Sequence, residues 1–468
     1  MTLNKYDTII IGGGIGGLSA AYRLTQNYKN MKILLIEKGP ELEKRNCPAN
    51  KEQNCLHCKT CSITSGIAGA GAFSDGKFNL GTAYGGTLGE ELGEENAFDY
   101  INAVDNMLTD FNPNEEVKTY HSDESLKLEC LQNNLRLLDM NVKHLGTDAN
   151  YKTMAELVKY LKTKINIFTN TTVLKIHNKT ENEGFDSEFY KVEYKENSNE
   201  EIANAFAKSI IIATGRASGN FVIDTCKHFN VPITSNKVDI GVRVEMKDII
   251  WKKFSDKIYE PKILYKTKTF EDNTRVFCFN KGGLVSAENN RGIITANGHS
   301  YVNNRTDNCN FAILSSMKFT EPFNQPTDYC EKISELGNML GNNNVIIQRF
   351  GDLIRGRRTT THRLAQNTVI PTLKATPGDI SAFMPYRHMS NIIETIYALD
   401  KVAPGTANDD TLLYGCESKY YSVRPKFISK DFEIADKVFV IGDGSGITRG
   451  LSQAGAQGMY VADVISKK

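Results

Sequence analysis

The residues able to do chemistry in this chain fall into three groups, and the first lies at its start. Gly12, Gly14 and Gly17 stand at G-x-G-x-x-G spacing, after the run Tyr6-Asp7-Thr8-Ile9-Ile10-Ile11 and before Leu18-Ser19-Ala20-Ala21. Further on, Ile33-Leu34-Leu35-Ile36 ends in an acid, Glu37, 20 residues past Gly17 and beside Lys38. Strand, glycine turn, helix, and a second strand with a terminal acid predict a dinucleotide site. Gly12 permits the turn, Gly14 lets backbone approach a pyrophosphate at the helix N-terminus, and Gly17 lets helix pack on sheet. The carboxylate accepts the hydroxyls of a ribose, and a Glu there fits FAD or NAD rather than a cofactor with a 2′-phosphate.

The second group is a run of thiols. Of ten cysteines, Cys47, Cys55, Cys58 and Cys61 follow one another as C-x7-C-x2-C-x2-C, with Pro48 after the first. Two successive x2 gaps let three thiolates converge on one face of an iron-sulfur cube, and a remote Cys-Pro supplies a fourth ligand in ferredoxin-like runs, although here it comes first. Zinc is an alternative, with His57 able to replace one thiolate. Redox-active or reduced thiols are the third reading. The run precedes Ser65 to Lys77, a glycine-rich stretch containing Gly71, Ala72, Phe73 and Ser74, so whatever the cysteines hold is tethered to that loop.

The third group comprises scattered titratable residues. Lys77 and Arg449 are candidates to stabilise charge on a cofactor or substrate, and His299 and His388 to carry a proton. Each has a plainer reading as a solvated turn, a structural phosphate contact or an ordinary core histidine. The basic stretch Arg355 to His362 reads first as a solvated loop and second as a carboxylate or phosphate clamp. Arg243 and Glu245 alternate with Val242 and Val244, so they share a strand face and are expected to pair with each other.

Three further elements position these groups. Ser209 to Arg216 is a strand ending in Ala213-Thr214-Gly215. Lys437 to Ile441 is a buried strand ending in Gly442-Asp443, and Leu451 to Val464 is a helix of small residues preceded by Gly450. Together they resemble the FAD-dependent flavoproteins with a two-part dinucleotide fold. The resemblance implies that Ala213-Thr214-Gly215 closes the first half, that Asp443 binds the ribityl chain, and that Gly450 and Leu451 face the flavin pyrimidine. There a helix N-terminus meets the negative charge of reduction. It also implies that the loop through Gly71–Ser74 runs along the pyrophosphate and isoalloxazine. The cysteine run, Gly69 to Lys77, Val238 to Glu245 and Gly442 to Gly450 are similar, over nearly the whole chain, to a family of prokaryotic FAD-dependent dehydrogenases. More distantly the chain is similar to geranylgeranyl-reductase-like flavin reductases. Aromatic hydroxylases follow the terminal Gly-Asp with Ala-Ala-His and Pro; here Gly444-Ser445-Gly446-Ile447-Thr448 follows, which argues against a monooxygenase.

Composition sets the outer bounds. With 56 Lys+Arg against 55 Asp+Glu in 468 residues, net charge is +1, and no basic stripe offers itself to nucleic acid or an anionic membrane. No apolar stretch is long enough to span a bilayer, and a first strand near residue 6 leaves no room for a signal peptide. A cytoplasmic protein is expected, whose cysteines are not structural disulfides. The expected architecture is α/β: a Rossmann-like two-part FAD-binding domain with an inserted β-rich α+β substrate domain. Residues 1–218 form its first part, with the cysteine segment 47–61 and a helical insert at 85–145; 219–404 form the substrate domain; 405–468 complete the FAD domain. Without a second G-x-G-x-x-G, the electron donor, NAD(P)H or a ferredoxin-like protein, would bind transiently. The expected function is an FAD-dependent oxidoreductase moving a hydride between flavin and a small organic substrate, with an iron-sulfur relay as an option. The alternatives are a flavin and iron-sulfur electron-transfer protein between protein partners, or a flavin reductase using NAD(P)H with a structural zinc.

Overall fold

The runs of β-branched and leucine residues at the start of the chain form the centre of a parallel sheet. In the computed structural model, which describes residues 4–47, 58, 61–74, 76–83, 86–112, 117–139, 141–179, 188–216, 219–234, 236–290, 292–299, 305–320, 322–323, 325–420 and 423–467, the chain divides into two units. The first comprises 1–119, 141–234 and 422–468; the second comprises 120–140 and 235–421.

In the first unit the parallel strands run in the order Val438–Val440, Ala203–Ile212, Lys5–Ile11, Ile33–Ile36 and Asn166–Phe168. Ile9, Ile10, Leu34, Leu35, Ile211 and Ile212 have no exposed surface, as continuous apolar strands covered on both faces must. Each such side chain contributes about 1.5–3 kcal/mol by burial. Tyr190–Glu196 extends the sheet antiparallel to Ala203–Ile212 and alternates buried and half-buried positions, as its period of two predicts. On one face the helix Ile15–Asn27 packs beside the terminal helix Leu451–Lys467. Small residues allow the approach: a Cβ on Gly458 would lie 2.2 Å from the Gly16 carbonyl oxygen, and one on Gly455 would lie 3.0 Å from Ser19 Oγ. The two helix N-termini are thereby brought side by side at the carboxyl edge of the sheet.

The second unit is built on an antiparallel sheet. Its strand order is Thr376–Pro377, Ile346–Arg349, Leu412–Tyr420, Val238–Lys247, Asn308–Met317, Asn273–Asn280, Ile263–Lys266 and Leu135–Leu137, with only the first pair parallel. The β-rich character expected of 219–404 is present in these strands. Those at Ile346–Arg349 and Leu412–Tyr420 were not anticipated, and they shift the limits of the unit. Gly219–His228 is a helix of the first unit, and the chain leaves the second sheet only after Tyr420. The stretch 85–145 is not wholly helical either, because Leu135–Leu137 pairs with Ile263–Lys266.

The central strand Val238–Lys247 is buried up to its last residue. Val238, Ile240, Val242, Val244 and Met246 enter the apolar core, while Asp239, Arg243 and Glu245 are buried on the opposite face. Arg243 and Glu245 do share that face, but they do not pair. The Arg243 guanidinium meets Glu417 at 2.7 Å, and Glu245 accepts from Tyr414 at 2.5 Å and from Thr372 Oγ1 at 2.6 Å. Arg243 also donates to the Cys278 carbonyl at 2.9 Å and to Asn297 Oδ1 at 3.2 Å. Gly298 is required beside it, since a Cβ there would come within 2.6 Å of the guanidinium. Both charges of the Arg243–Glu417 pair are fully buried, so removing one leaves the other uncompensated. Glu417→Ala is expected to lower unfolding stability by about 3–5 kcal/mol in urea titration. Removal of the exposed Glu335 carboxylate should change it by less than about 0.5 kcal/mol.

Candidate dinucleotide cradle

The carboxyl ends of the parallel strands gather most of the sequence-predicted residues in one place. Gly12 adopts a φ of 107°, and a Cβ on it would lie 2.4 Å from the Ala213 carbonyl oxygen, so the glycine turn sits directly on the Ala213-Thr214-Gly215 strand end. A Cβ on Gly17 would lie 2.1 Å from the Gly12 oxygen. Gly69 approaches Gly14, Gly71 approaches Leu451, and Gly444 approaches Gly215, each within about a van der Waals contact of a would-be Cβ. Gly442, Asp443, Gly450 and Leu451 thus lie with Gly12–Gly17, Gly71–Ser74 and Ala213–Gly215 around one concavity.

Glu37, 8 % exposed, organises the acid side of this cradle. Its Oε2 accepts from the Gly13 N–H at 2.8 Å, and Oε1 accepts from Gly39 at 2.8 Å and Gly66 at 3.0 Å. A carboxylate has about four acceptor positions, so one remains for a ribose hydroxyl. Lys38 points its side chain to solvent, and its carbonyl accepts from Asn197.

Arg45 was not singled out by sequence and proves central. Only 5 % exposed, its guanidinium donates to the carbonyls of Ser62, Ile63, Ile67 and Gly69 at 2.6–2.9 Å and lies 4.7 Å over the Phe73 ring. Burial pulls it down to about 10, a value Glu37 helps hold up, so it stays charged at neutral pH. Asn150, also missed, donates to the carbonyls of Gly71 and Ala72 and pins the loop from the other side. Gln457 accepts from the Gly442 N–H at 2.8 Å. These residues carry no local motif, because each acts on a loop distant in sequence.

At the far end, Thr448 Oγ1 donates to Asp443 Oδ1 at 3.3 Å and Arg216 lies 3.9 Å from Oδ2. Burial pushes the Asp443 carboxyl up, against the pull of Arg216 and Arg449. Arg449 is half-buried in front of the terminal helix, and Lys77 is half-buried on Lys77–Asn79, opposite His144.

The concavity fits a dinucleotide. A Cβ on Gly14, Gly215, Gly442 or Gly450 would meet nothing within 4 Å. Thr214 Oγ1 and Ser452 Oγ are buried without a partner, polar groups that a bound cofactor would satisfy. Gly14 begins the first helix with no side-chain cap, leaving its first N–H groups to a ligand.

The remaining candidates are placed elsewhere. His299 ends a strand of the second unit with an exposed side chain. His388 is fully buried on Tyr386–Asp400, with neither ring nitrogen hydrogen-bonded, and burial holds it down to about 4. It is a neutral core residue. In the basic stretch Arg355 pairs with Asp409 and Arg357 with Asp352, each at 2.7 Å, which matches the plain reading of that stretch. Cys47, Cys58 and Cys61 are free and exposed, and Cys55 lies outside the described residues. Among the described residues no three His, Cys, Asp or Glu side chains form a metal-holding group, so no iron-sulfur or zinc ligand set is seen there. Burial pushes the Cys61 thiol up, but hydrogen bonds from Thr64 and Ile63 and the charge of Arg45 outweigh it and leave it below the ordinary thiol value.

Sheet, glycine turn, terminal Gly-Asp and paired helix N-termini define a two-part dinucleotide-binding flavoprotein. Residues 6–238 match the family described as pyridine nucleotide-disulphide oxidoreductase, and residues 237–420 match the family described as FAD-dependent protein, C-terminal domain-like. The chain is an FAD-dependent oxidoreductase with a Rossmann-like FAD unit and a β-rich second unit. No curated protein matches it. Among solved structures it is similar to an E. coli quinol fumarate reductase FrdA variant, at 12% identity and a TM-score of 0.42 over 100% of this chain and 71% of that one. Glycine oxidase from Geobacillus kaustophilus is similar at 10% identity and a TM-score of 0.40, over 99% and 95%. Aklavinone-11 hydroxylase with FAD and aklavinone is similar at 9% identity and a TM-score of 0.41, over 100% of this chain and 62% of that one, so the chain spans about three fifths of the hydroxylase. Among the described residues no helix is long and apolar enough to cross a membrane.

Two outcomes follow from the geometry. Gly14→Ala meets only open space and should fold with unchanged stability while weakening FAD retention about tenfold, whereas Gly17→Ala should cost about 3 kcal/mol of stability. Melting of apoprotein and fluorimetric FAD titration distinguish them. His388, neutral when folded, is protonated in the unfolded chain below about pH 6.5, so stability should fall by about 3 kcal/mol as pH drops toward 4. His388→Phe, with no proton to take up, should flatten that decline in urea midpoints measured at both ends of the range.

Proposed function

We propose that the cradle holds FAD and that the chain moves a hydride between it and a small organic substrate. The observation that carries the reading is the set of open glycine positions at Gly14, Gly215, Gly442 and Gly450, lying along one concavity with Glu37 at one end and Asp443 at the other. FAD when bound supplies the two-electron chemistry. The chain's own residues hold and orient it. Glu37 takes the adenosine ribose, Gly12–Gly14 and the first helix N-terminus take the pyrophosphate, and Thr214 with Gly215 lines the middle. Asp443 would receive the ribityl hydroxyls, and Gly450 and Leu451, at the N-terminus of the terminal helix, would face the pyrimidine, where negative charge would be stabilised. Arg45 and Asn150 keep Gly71–Ser74 pressed toward the ring system, which excludes water from it. The β-rich unit, with its own family match over 237–420, supports an enzyme with a substrate domain over a bare electron relay.

The electron donor is read as a transient one, NAD(P)H or a ferredoxin-like protein. Anaerobic titration of FAD-loaded protein with NADH, NADPH and reduced ferredoxin should bleach the flavin band near about 450 nm with one of them. Asp443→Ala should retain less FAD after gel filtration. A flavin that none of the three reduces would overturn the transient-donor reading. Iron, sulfide and zinc assays on the same sample decide what the Cys47, Cys55, Cys58 and Cys61 group holds. About four iron and four sulfide per chain would make it a relay, and zinc a structural staple.

A further inference from the structure

The parallel sheet of the first unit has a second opening, at its other edge. A cavity of about 490 Å³ lies toward the amino ends of Lys5–Ile11 and Val438–Val440 and beside the middle of Ala203–Ile212, lined among others by Asp7, Lys208 and Lys437, with Lys29 and Met31 from the loop after the first helix. Asp7 is five residues before Gly12 on an extended strand, which puts this cavity about 17 Å from the glycine turn. It is separate from the FAD cradle, and its size suits a small ligand.

Its charge is one-sided. Lys29, Lys208 and Lys437 bring three ammonium groups, and among the described residues none of them meets a carboxylate. Lys208 lies 5.7 Å from the Phe189 ring centroid. The one acid, Asp7, already accepts the Lys32 N–H at 2.9 Å. The C-terminus of the first helix accounts for Lys29, because helix carbonyls attract cations. It does not account for Lys208, in the middle of Ala203–Ile212, or Lys437, just before Val438–Val440, because the net dipole of a sheet is small. Part of the wall is apolar: Tyr28 is exposed, and Met31 and Ile465 are half-buried. Three cationic residues lining one cavity suit a dianion, and the apolar part of the wall suits a non-polar body attached to it.

We propose that this cavity binds a small organic phosphate, with its phosphate among Lys29, Lys208 and Lys437 and its apolar body against Tyr28, Met31 and Ile465. The site is independent of the redox chemistry read from the cradle. The test uses FAD-loaded protein and phenyl phosphate, followed by calorimetric titration, with inorganic phosphate as comparison. Saturable binding of phenyl phosphate with a dissociation constant of about 1 mM or tighter is expected, and weaker binding of inorganic phosphate. The Lys208→Glu, Lys437→Glu double variant should weaken binding at least about tenfold while keeping the flavin spectrum. Met31→Trp, which fills the apolar side and leaves all three charges, should block phenyl phosphate too, and it provides a reading if the double variant fails to fold. Absence of saturable binding, or unchanged affinity in both variants, overturns the proposal. Equal affinity for inorganic phosphate overturns the apolar-body part of it.

Discussion

Both oxygens of Glu37 are committed to backbone N–H groups, so one buried carboxylate ties the glycine turn at Gly13, the strand end at Gly39 and the loop at Gly66 into a single rigid corner. Hydrogen bonds to a charged acceptor are worth about 1.5–3 kcal/mol each, and here three act on one corner, beside the backbone bonds from Ala68 to Gly13 and from Asn170 to Gly39. The acid that a dinucleotide fold reserves for ribose is therefore also a structural strap. With the corner held, Gly14 can stay open toward the ligand while Gly12 and Gly17 are closed on protein.

Arg45 is the counterpart of that carboxylate. Its four carbonyl acceptors lie on the segment between Cys61 and Ala70, and its charge also favours the Cys61 thiolate. One guanidinium thus holds the loop and adds its charge to the Thr64 and Ile63 hydrogen bonds that lower the nearest described thiol. This couples the cysteine segment to the cradle through packing and charge, whether or not the segment holds a metal.

The second unit solves a different problem. An alternating strand ordinarily turns its polar face to water, but Val238–Lys247 buries both faces. Arg243, Glu245, Glu417 and their asparagine and tyrosine partners must therefore satisfy one another inside the protein. Such a network adds little net stability relative to an apolar core, but it is costly to break.

By itself the sequence determined the local elements and the cofactor class. Gly12, Gly14, Gly17 and Glu37 are legible because turn geometry, helix capping and strand periodicity are properties of a few adjacent residues, whereas Ala213-Thr214-Gly215 and Gly442-Asp443 are legible through their resemblance to two-part flavoproteins. Only the tertiary structure decided what reaches across the chain. It brought Arg45 and Asn150 to the segment through Gly69–Ser74, paired Arg243 with Glu417 rather than Glu245, drew Leu412–Tyr420 into the second sheet, and consigned His388 to a core. Each of these depends on which distant segments come within hydrogen-bonding or packing distance, and no local pattern in residue type or spacing encodes that.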